Sequence, residues 1–147
     1  MKKSLSIVAG LLLSFSAAQA LAADHVVKML NNGAEGTMMF EPGYLKVAPG
    51  DTVTFKSVDP AHNSVSVHIP QGAQAWTGEM SKDLTITLHK EGVYIYKCVP
   101  HTVMAMVGVI QVGGAGNKDA AMKAADDLGK QFAMNKDRLQ KYMAKVQ

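Results

Sequence analysis

Val93-Tyr-Ile-Tyr-Lys-Cys98-Val-Pro-His101-Thr-Val-Met-Ala-Met106-Val-Gly-Val-Ile-Gln-Val112 is two β-forming runs joined by a short loop. The first run follows a Glu91-Gly92 turn signal and is dense in Tyr, Ile and Val. The last, from Val107 to Val112, reads as a buried strand. Side chains alternate along a strand, so Tyr94, Tyr96 and Cys98 share one face and Lys97 points the other way. Cys98 therefore ends its strand with the sulfur at the edge of a core. Pro100 stiffens the turn that follows, and Met106 opens the next strand.

The same strand character extends back to Asp24. His25 to Leu30 alternates in part, and Leu84-Thr-Ile-Thr-Leu88 alternates cleanly. Leu45 to Phe55 holds the ends of two strands around the turn signal Pro49-Gly50-Asp51. Many short strands separated by Gly, Pro and Asn predict an all-β sandwich or barrel. The pattern changes after Gly113-Gly-Ala-Gly116. Asn117 is the expected N-cap of a helix with Asp119 in its first turn, and Gly129 its expected end. A second helix is expected from about Asn135, with Leu139, Tyr142, Met143 and Val146 as its apolar stripe. Met122, Met134 and Met143 read as core contacts. Both helices are expected to pack on the β body.

The N-terminus reads as an export signal. Lys2 and Lys3 precede a short apolar run from Ile7 to Phe15, and small residues follow in Ala18-Gln-Ala20-Leu-Ala22. The run is too short to span a bilayer. Two A-x-A sites compete, and cutting after Ala22 is favoured. The expected organisation is a signal peptide at 1–22, a metal-binding β domain at 23–114 and a helical extension of that domain at 115–147. The expected location is the periplasm, with no stable membrane association.

The formal charge of +3 includes the two signal lysines. Residues 23–114 carry six lysines against eight acids, and residues 115–147 seven basic residues against four acids. No basic patch with interleaved aromatics appears, which excludes a nucleic-acid partner. The chain has one cysteine. In an exported protein a lone cysteine is a free thiol, an intermolecular partner or a metal ligand, and coordination protects it from oxidation.

Cys98, His101 and Met106 lie on one loop, and His62 stands upstream in Asp59-Pro-Ala-His62-Asn63. Two imidazoles, a thiolate and a weak thioether are the donor set of a type 1 copper electron-transfer site. The thiolate stabilises Cu(I), imidazole suits both oxidation states, and the long thioether bond adds little to either. Zinc also takes Cys and His, but a thioether favours copper. Met104 is an alternative axial ligand. His25, His68 and His89 read as surface or strand residues, with His68 the one to check.

Cys-x2-His-x4-Met with an upstream His-Asn resembles the cupredoxins, and among them the pseudoazurins. The resemblance runs through Met29-Leu-Asn31, Met39-Phe-Glu-Pro42, Leu45 to Phe55, His62-Asn63, Ile69-Pro70, Gly92-Val-Tyr94, Lys97-Cys98, Pro100-His101 and Met104 to Val109. It implies a Greek-key sandwich of about eight strands with two C-terminal helices. It also implies one type 1 copper per monomer, held by His62, Cys98, His101 and Met106. By the same resemblance Met38 neighbours an exposed His101 ring, and the Asn63 amide donates to the Cys98 sulfur. Pro100 cannot donate, so one donor is expected and with it a moderate potential.

Three departures stand out. The residue after the ligand cysteine, commonly Thr or Ser in pseudoazurins, is Val99, which offers no hydroxyl to tie the ligand loops through the asparagine. The stretch from His62 to Pro70 is two residues short. The lysine ring around the metal is thinned: Asn32, Pro60 and the Thr77 to Glu79 region replace lysines, and Lys97 remains.

A metal with four protein ligands has no open position for substrate, so the chain is expected to carry electrons and not to be an enzyme. The resemblance implies a monomer that docks transiently with a copper nitrite reductase or another denitrification enzyme, or with a c-type cytochrome. Copper storage or delivery is the alternative; it calls for an exposed, exchangeable site.

Overall fold

In a computed structural model, residues 21–147 are described. The export signal expected at 1–22 lies outside them except for its last two residues. Eight strands and two helices follow in order: β1 (Asp24–Gly33), β2 (Gly36–Glu41), β3 (Tyr44–Val47), β4 (Thr52–Ser57), β5 (Val65–His68), β6 (Leu84–Thr87), β7 (Gly92–Lys97), β8 (Val107–Val112), α1 (Lys118–Gly129) and α2 (Arg138–Met143).

The strands form two four-stranded sheets, ordered β2-β1-β4-β6 and β3-β8-β7-β5. The chain changes sheet between β2 and β3 and returns at the Pro49-Gly50-Asp51 turn. That exchange lays β1 parallel to β4 and β3 parallel to β8, and the remaining neighbours are antiparallel. This is the expected cupredoxin-like sandwich. Gly50 sits in the turn at φ 96°, a backbone region that only glycine enters freely.

The two sheets have different faces. β4 alternates, with Val53 and Phe55 in the core and Thr52, Thr54 and Lys56 turned outward. On that wet face the hydroxyls of Thr54 and Thr85 meet across the strands at 2.8 Å. In the second sheet β7 and β8 are buried almost throughout. Tyr94, Tyr96, Cys98, Met106, Ile110 and Val112 face the sandwich interior. Val93, Ile95, Val107 and Val109 face a second core, closed by Ala121, Ala125, Leu128, Leu139, Tyr142 and Met143 of the helices. A sheet covered on both faces needs near-continuous apolar strands, which explains why this stretch reads so strongly.

The helical region corrects several expectations. Asn117 is the N-cap residue of α1, as expected, but its side chain makes no capping bond. Its amide instead grips β7, accepting from the Val93 N–H at 2.7 Å and donating to the Val93 carbonyl at 3.0 Å. α2 starts at Arg138, three residues later than expected, because Asn135 takes a left-handed φ of 49° that a continuing helix excludes. Met143 is in the core and Met122 packs against it, but Met134 is about half exposed. The loop before α2 holds Met134 by its backbone N–H, which donates to the Val103 carbonyl, so its side chain is left at the surface. Among the described residues no helix is long and apolar enough to cross a membrane.

Candidate metal centre

The inner face of the second sheet delivers the sulfur. Cys98 directly follows β7 and is fully buried among the aromatic rings of the core. Its N–H donates to the Met106 carbonyl at 2.9 Å, and the Met106 N–H donates to the His101 carbonyl at 3.2 Å. These bonds close the loop so that Cys98 and Met106 stand opposite one another, one step beyond the Lys97–Val107 pair, with both side chains in the same core. Met104 lies in a short 3₁₀ turn (Thr102–Met104) and is absent from that core. Thr102 stiffens the loop, its hydroxyl donating to the carbonyls of Cys98 at 2.9 Å and Val99 at 3.1 Å.

His62 arrives from the loop between β4 and β5 and is fully buried. Its Nδ1 stands 3.1 Å from Nδ1 of His101 and 3.8 Å from the Cys98 sulfur, and His101 Nδ1 lies 3.5 Å from that sulfur. Among the described residues these three are the one cluster of His, Cys, Asp and Glu whose donor atoms converge in this way. Ions that bond imidazole at about 2.0 Å and thiolate at about 2.3 Å set their ligands on a triangle with edges of roughly 3 to 4 Å. The triangle fits such an ion.

The polar surroundings prepare these atoms for it. His62 Nε2 lies 2.9 Å from Asn31 Oδ1. An amide oxygen only accepts, so Nε2 carries the proton and Nδ1 keeps its lone pair for a metal. Burial first, and then the His101 ring, lowers the pKa of His62 against the opposing pull of Asp59. The neutral ring that coordination requires is therefore favoured. Burial raises the Cys98 thiol, while hydrogen bonds from the backbone N–H groups of Asn63 and His101 act in the opposite direction. Desolvation wins, so the sulfur keeps its proton until a cation replaces it. The Asn63 N–H is the donor expected, and the His101 N–H acts on the sulfur in the same direction. Pro100 removes one N–H from this turn and leaves the next residue's in reach.

Val99 does not untie the ligand loops. Its side chain is exposed, yet its backbone N–H donates to Asn63 Oδ1 at 2.9 Å, and Asn63 Nδ2 donates to the Gly78 carbonyl at 3.2 Å. The backbone supplies the tether that a hydroxyl was expected to give. The loops are nonetheless strained. Ala61 before His62, Ala105 before Met106, Met38, and Ser81, whose N–H donates to the His62 carbonyl, all take left-handed φ between 46° and 68°. Each such non-glycine residue costs on the order of 1 kcal/mol, and strain of this kind gathers at functional sites.

The other histidines stay apart from the cluster. His25 Nε2 is 2.8 Å from Asp51, and His68 Nε2 is 3.1 Å from the Asn117 amide. His89 is an exposed residue between β6 and β7. Asn31 and the His101 amide were missed by sequence reasoning. Asn31 stood inside a recognised motif, but its partner lies thirty-one residues away and nothing local announces it.

The family model of copper binding proteins of the plastocyanin/azurin family matches residues 27–113. The chain belongs to that family. Within it, the chain is 47% identical over 109 residues to a putative pseudoazurin from Rhizobium leguminosarum bv. viciae, covering 73% of this chain and 72% of that one. It is 40% identical to the pseudoazurin of Paracoccus pantotrophus over 124 residues, covering 82% and 85%. The crystal structure of native pseudoazurin from Hyphomicrobium denitrificans superposes with a TM-score of 0.71 at 38% identity, over 84% of this chain and 98% of that one. Pseudoazurins are electron-carrying cupredoxins that bind type 1 copper and are not enzymes, and the chain is a blue copper electron carrier of that family.

Proposed function

We propose that His62, Cys98, His101 and Met106 hold one copper ion, and that the protein carries single electrons between redox proteins of the periplasm. A denitrification enzyme such as a copper nitrite reductase is the acceptor, and a c-type cytochrome is a further partner. The observation that carries this reading is the buried His62–Cys98–His101 triangle, with Asn31 fixing the tautomer of one imidazole. Met106 is the axial donor in preference to Met104, because it is fully buried in the core that holds Cys98.

Copper supplies the one-electron couple. The chain's residues supply a cage that changes little between oxidation states. Thr102, Asn63 and the Cys98–Met106 backbone bond hold the ligand loop from three directions. Fixed ligands keep reorganisation small, which is what fast electron transfer requires. The Asn63 and His101 amides stabilise charge on the sulfur and so favour the reduced metal. His101 is the one ligand of the set that is partly exposed, and electrons enter and leave through its ring edge. Buried Cys98 and His62 speak against a storage or delivery site, whose metal must exchange.

Export follows from residues 1–22. Cleavage after Ala22 leaves the Ala23 nitrogen as an ammonium 2.9 Å from Asp51 Oδ1, a carboxylate already placed to receive it. The intact mass of the secreted protein reads the cut directly.

Adding Cu(II) to the purified apo-protein tests the site. The expected product is intensely blue, from thiolate-to-copper charge transfer. Cys98→Ala is expected to abolish the colour. A colourless wild-type product, or an unchanged spectrum in the variant, overturns the assignment.

A further inference from the structure

Arg138 is the first residue of α2 and is buried, yet it forms no ion pair with a carboxylate among the described residues. Its guanidinium is spent on backbone carbonyls. Nη1 donates to the Met38 carbonyl at 2.8 Å and to the Ala105 carbonyl at 3.0 Å, and Nη2 donates to the Thr37 carbonyl at 3.1 Å. A buried cation satisfied only by carbonyls demands that those carbonyls stay where they are.

The choice of carbonyls is informative. Met38 and Ala105 are two of the residues held at left-handed φ, 46° and 56°. Met38 belongs to the first sheet and packs against the core that contains Cys98 and Met106. Ala105 belongs to the ligand loop and directly precedes Met106. One planar fork thus joins the first sheet to the ligand loop and holds both strained residues. The fork itself is fixed. Leu139, Tyr142 and Met143 bury the apolar side of α2, and the Tyr142 hydroxyl donates to Glu35 at 2.6 Å.

We propose that Arg138 is a positioning residue for the axial side of the copper: by holding the Met38 and Ala105 carbonyls it sets how Met106 approaches the ion. This rests on Met106 being the axial ligand. The C-terminal helix is then part of the metal site, although it contributes no ligand. In a type 1 site the axial interaction tunes the metal, so a change in the approach of Met106 is visible spectroscopically.

The test compares Arg138→Met, Arg138→Lys and the exposed control Lys141→Met, all copper-loaded. The readouts are the intensity ratio of the two thiolate-to-copper bands, the rhombicity of the Cu(II) EPR signal and copper affinity. Lys141→Met is expected to match wild type. Arg138→Met is expected to change the band ratio and rhombicity together and to weaken copper binding about tenfold. Arg138→Lys keeps the charge but has no fork to span both carbonyls, and is expected to fall between the two. An Arg138→Met protein that melts earlier but keeps the wild-type band ratio and EPR signal overturns the proposal. If that variant does not fold, a wild-type spectrum from Arg138→Lys overturns it in the same way. A failure of the ligand reading looks different: wild type itself lacks the blue bands.

Discussion

Single atoms decide how this centre works, and Asn31 is the plainest case. Its Oδ1 holds the Nε2 proton of His62 and so leaves Nδ1 free for copper. Asn31→Leu keeps much of the volume and removes the acceptor. We expect copper affinity to fall about 10- to 100-fold, the usual effect of losing a ligand's orienting partner, read by competition with a chelator of known affinity. Tyr96 is the opposite case. Its ring packs edge-on against Phe40 and Phe55 at centroid distances of 4.8 and 4.9 Å, but its hydroxyl is buried with no hydrogen-bond partner among the described residues. Burial pushes that hydroxyl's pKa far above the ordinary phenol range. An unpaired buried hydroxyl costs about 1 to 3 kcal/mol, so Tyr96→Phe is expected to raise stability by about 1 kcal/mol, a few degrees in thermal midpoint. Gly108 shows how tightly the ring is placed: a β-carbon there would lie 2.2 Å from Tyr96 Cζ, too close for any side chain.

At the scale of elements, the turn from β3 to β4 is a charge device. Asp51 accepts from the Ala23 and Ala48 amides at 2.9 Å each and meets His25 at 2.8 Å. Those partners, the Ala23 amide first, lower its pKa from 3.8 to about 2. A depressed carboxylate stabilises the fold fully above its unfolded pKa, and that contribution is lost as pH falls through the folded value. The denaturant midpoint of wild type is therefore expected to drop between about pH 4 and pH 2. Asp51→Asn is expected to start lower and to lose less over the same interval. The turn itself was legible, because Pro-Gly-Asp between alternating runs has a local mechanism. β7 and β8 were equally legible, since a sheet buried on both faces must be apolar throughout. β2 and β5 were not singled out: Gly36-Thr-Met-Met-Phe-Glu41 and Val65-Ser-Val-His68 are short, and pairing with longer neighbours makes them strands. The donor types of the proposed metal site are legible in the sequence, but Asn31, the His101 amide and Arg138 act through partners that only the fold supplies. Asn117 is the helix cap its local signal announces, but its side chain takes Val93 on a neighbouring strand as partner, which only the fold supplies.

Over the whole molecule, the surface around His101 is the docking face that the proposed function calls for. Val99 and Val103 of the ligand loop are each about half exposed. Met134, whose N–H donates to the Val103 carbonyl, extends the same apolar surface. Met80, also about half exposed, lies in the segment whose Ser81 N–H holds the His62 carbonyl. The charged residues in these loops, with Lys97 at the end of β7, are Asp59, Glu79, Lys82, Asp83, Lys97, Lys130, Lys136 and Asp137, four of each sign. A balanced set gives little summed field, and long-range steering depends on that sum. Encounter is then governed by apolar contact over a small interface, as suits a transient carrier. We expect the rate of electron transfer from the reduced protein to a copper nitrite reductase to change by less than about twofold between low salt and roughly 0.5 M, where exposed charges are screened beyond a few ångströms. Val103→Lys is expected to restore a salt-dependent rate toward an acidic partner, and Val99→Asp to slow it. Stopped-flow bleaching of the blue band follows both. A steep fall of the wild-type rate with salt would show that charges outside these loops do the steering, and would move the docking surface away from Val99 and Val103.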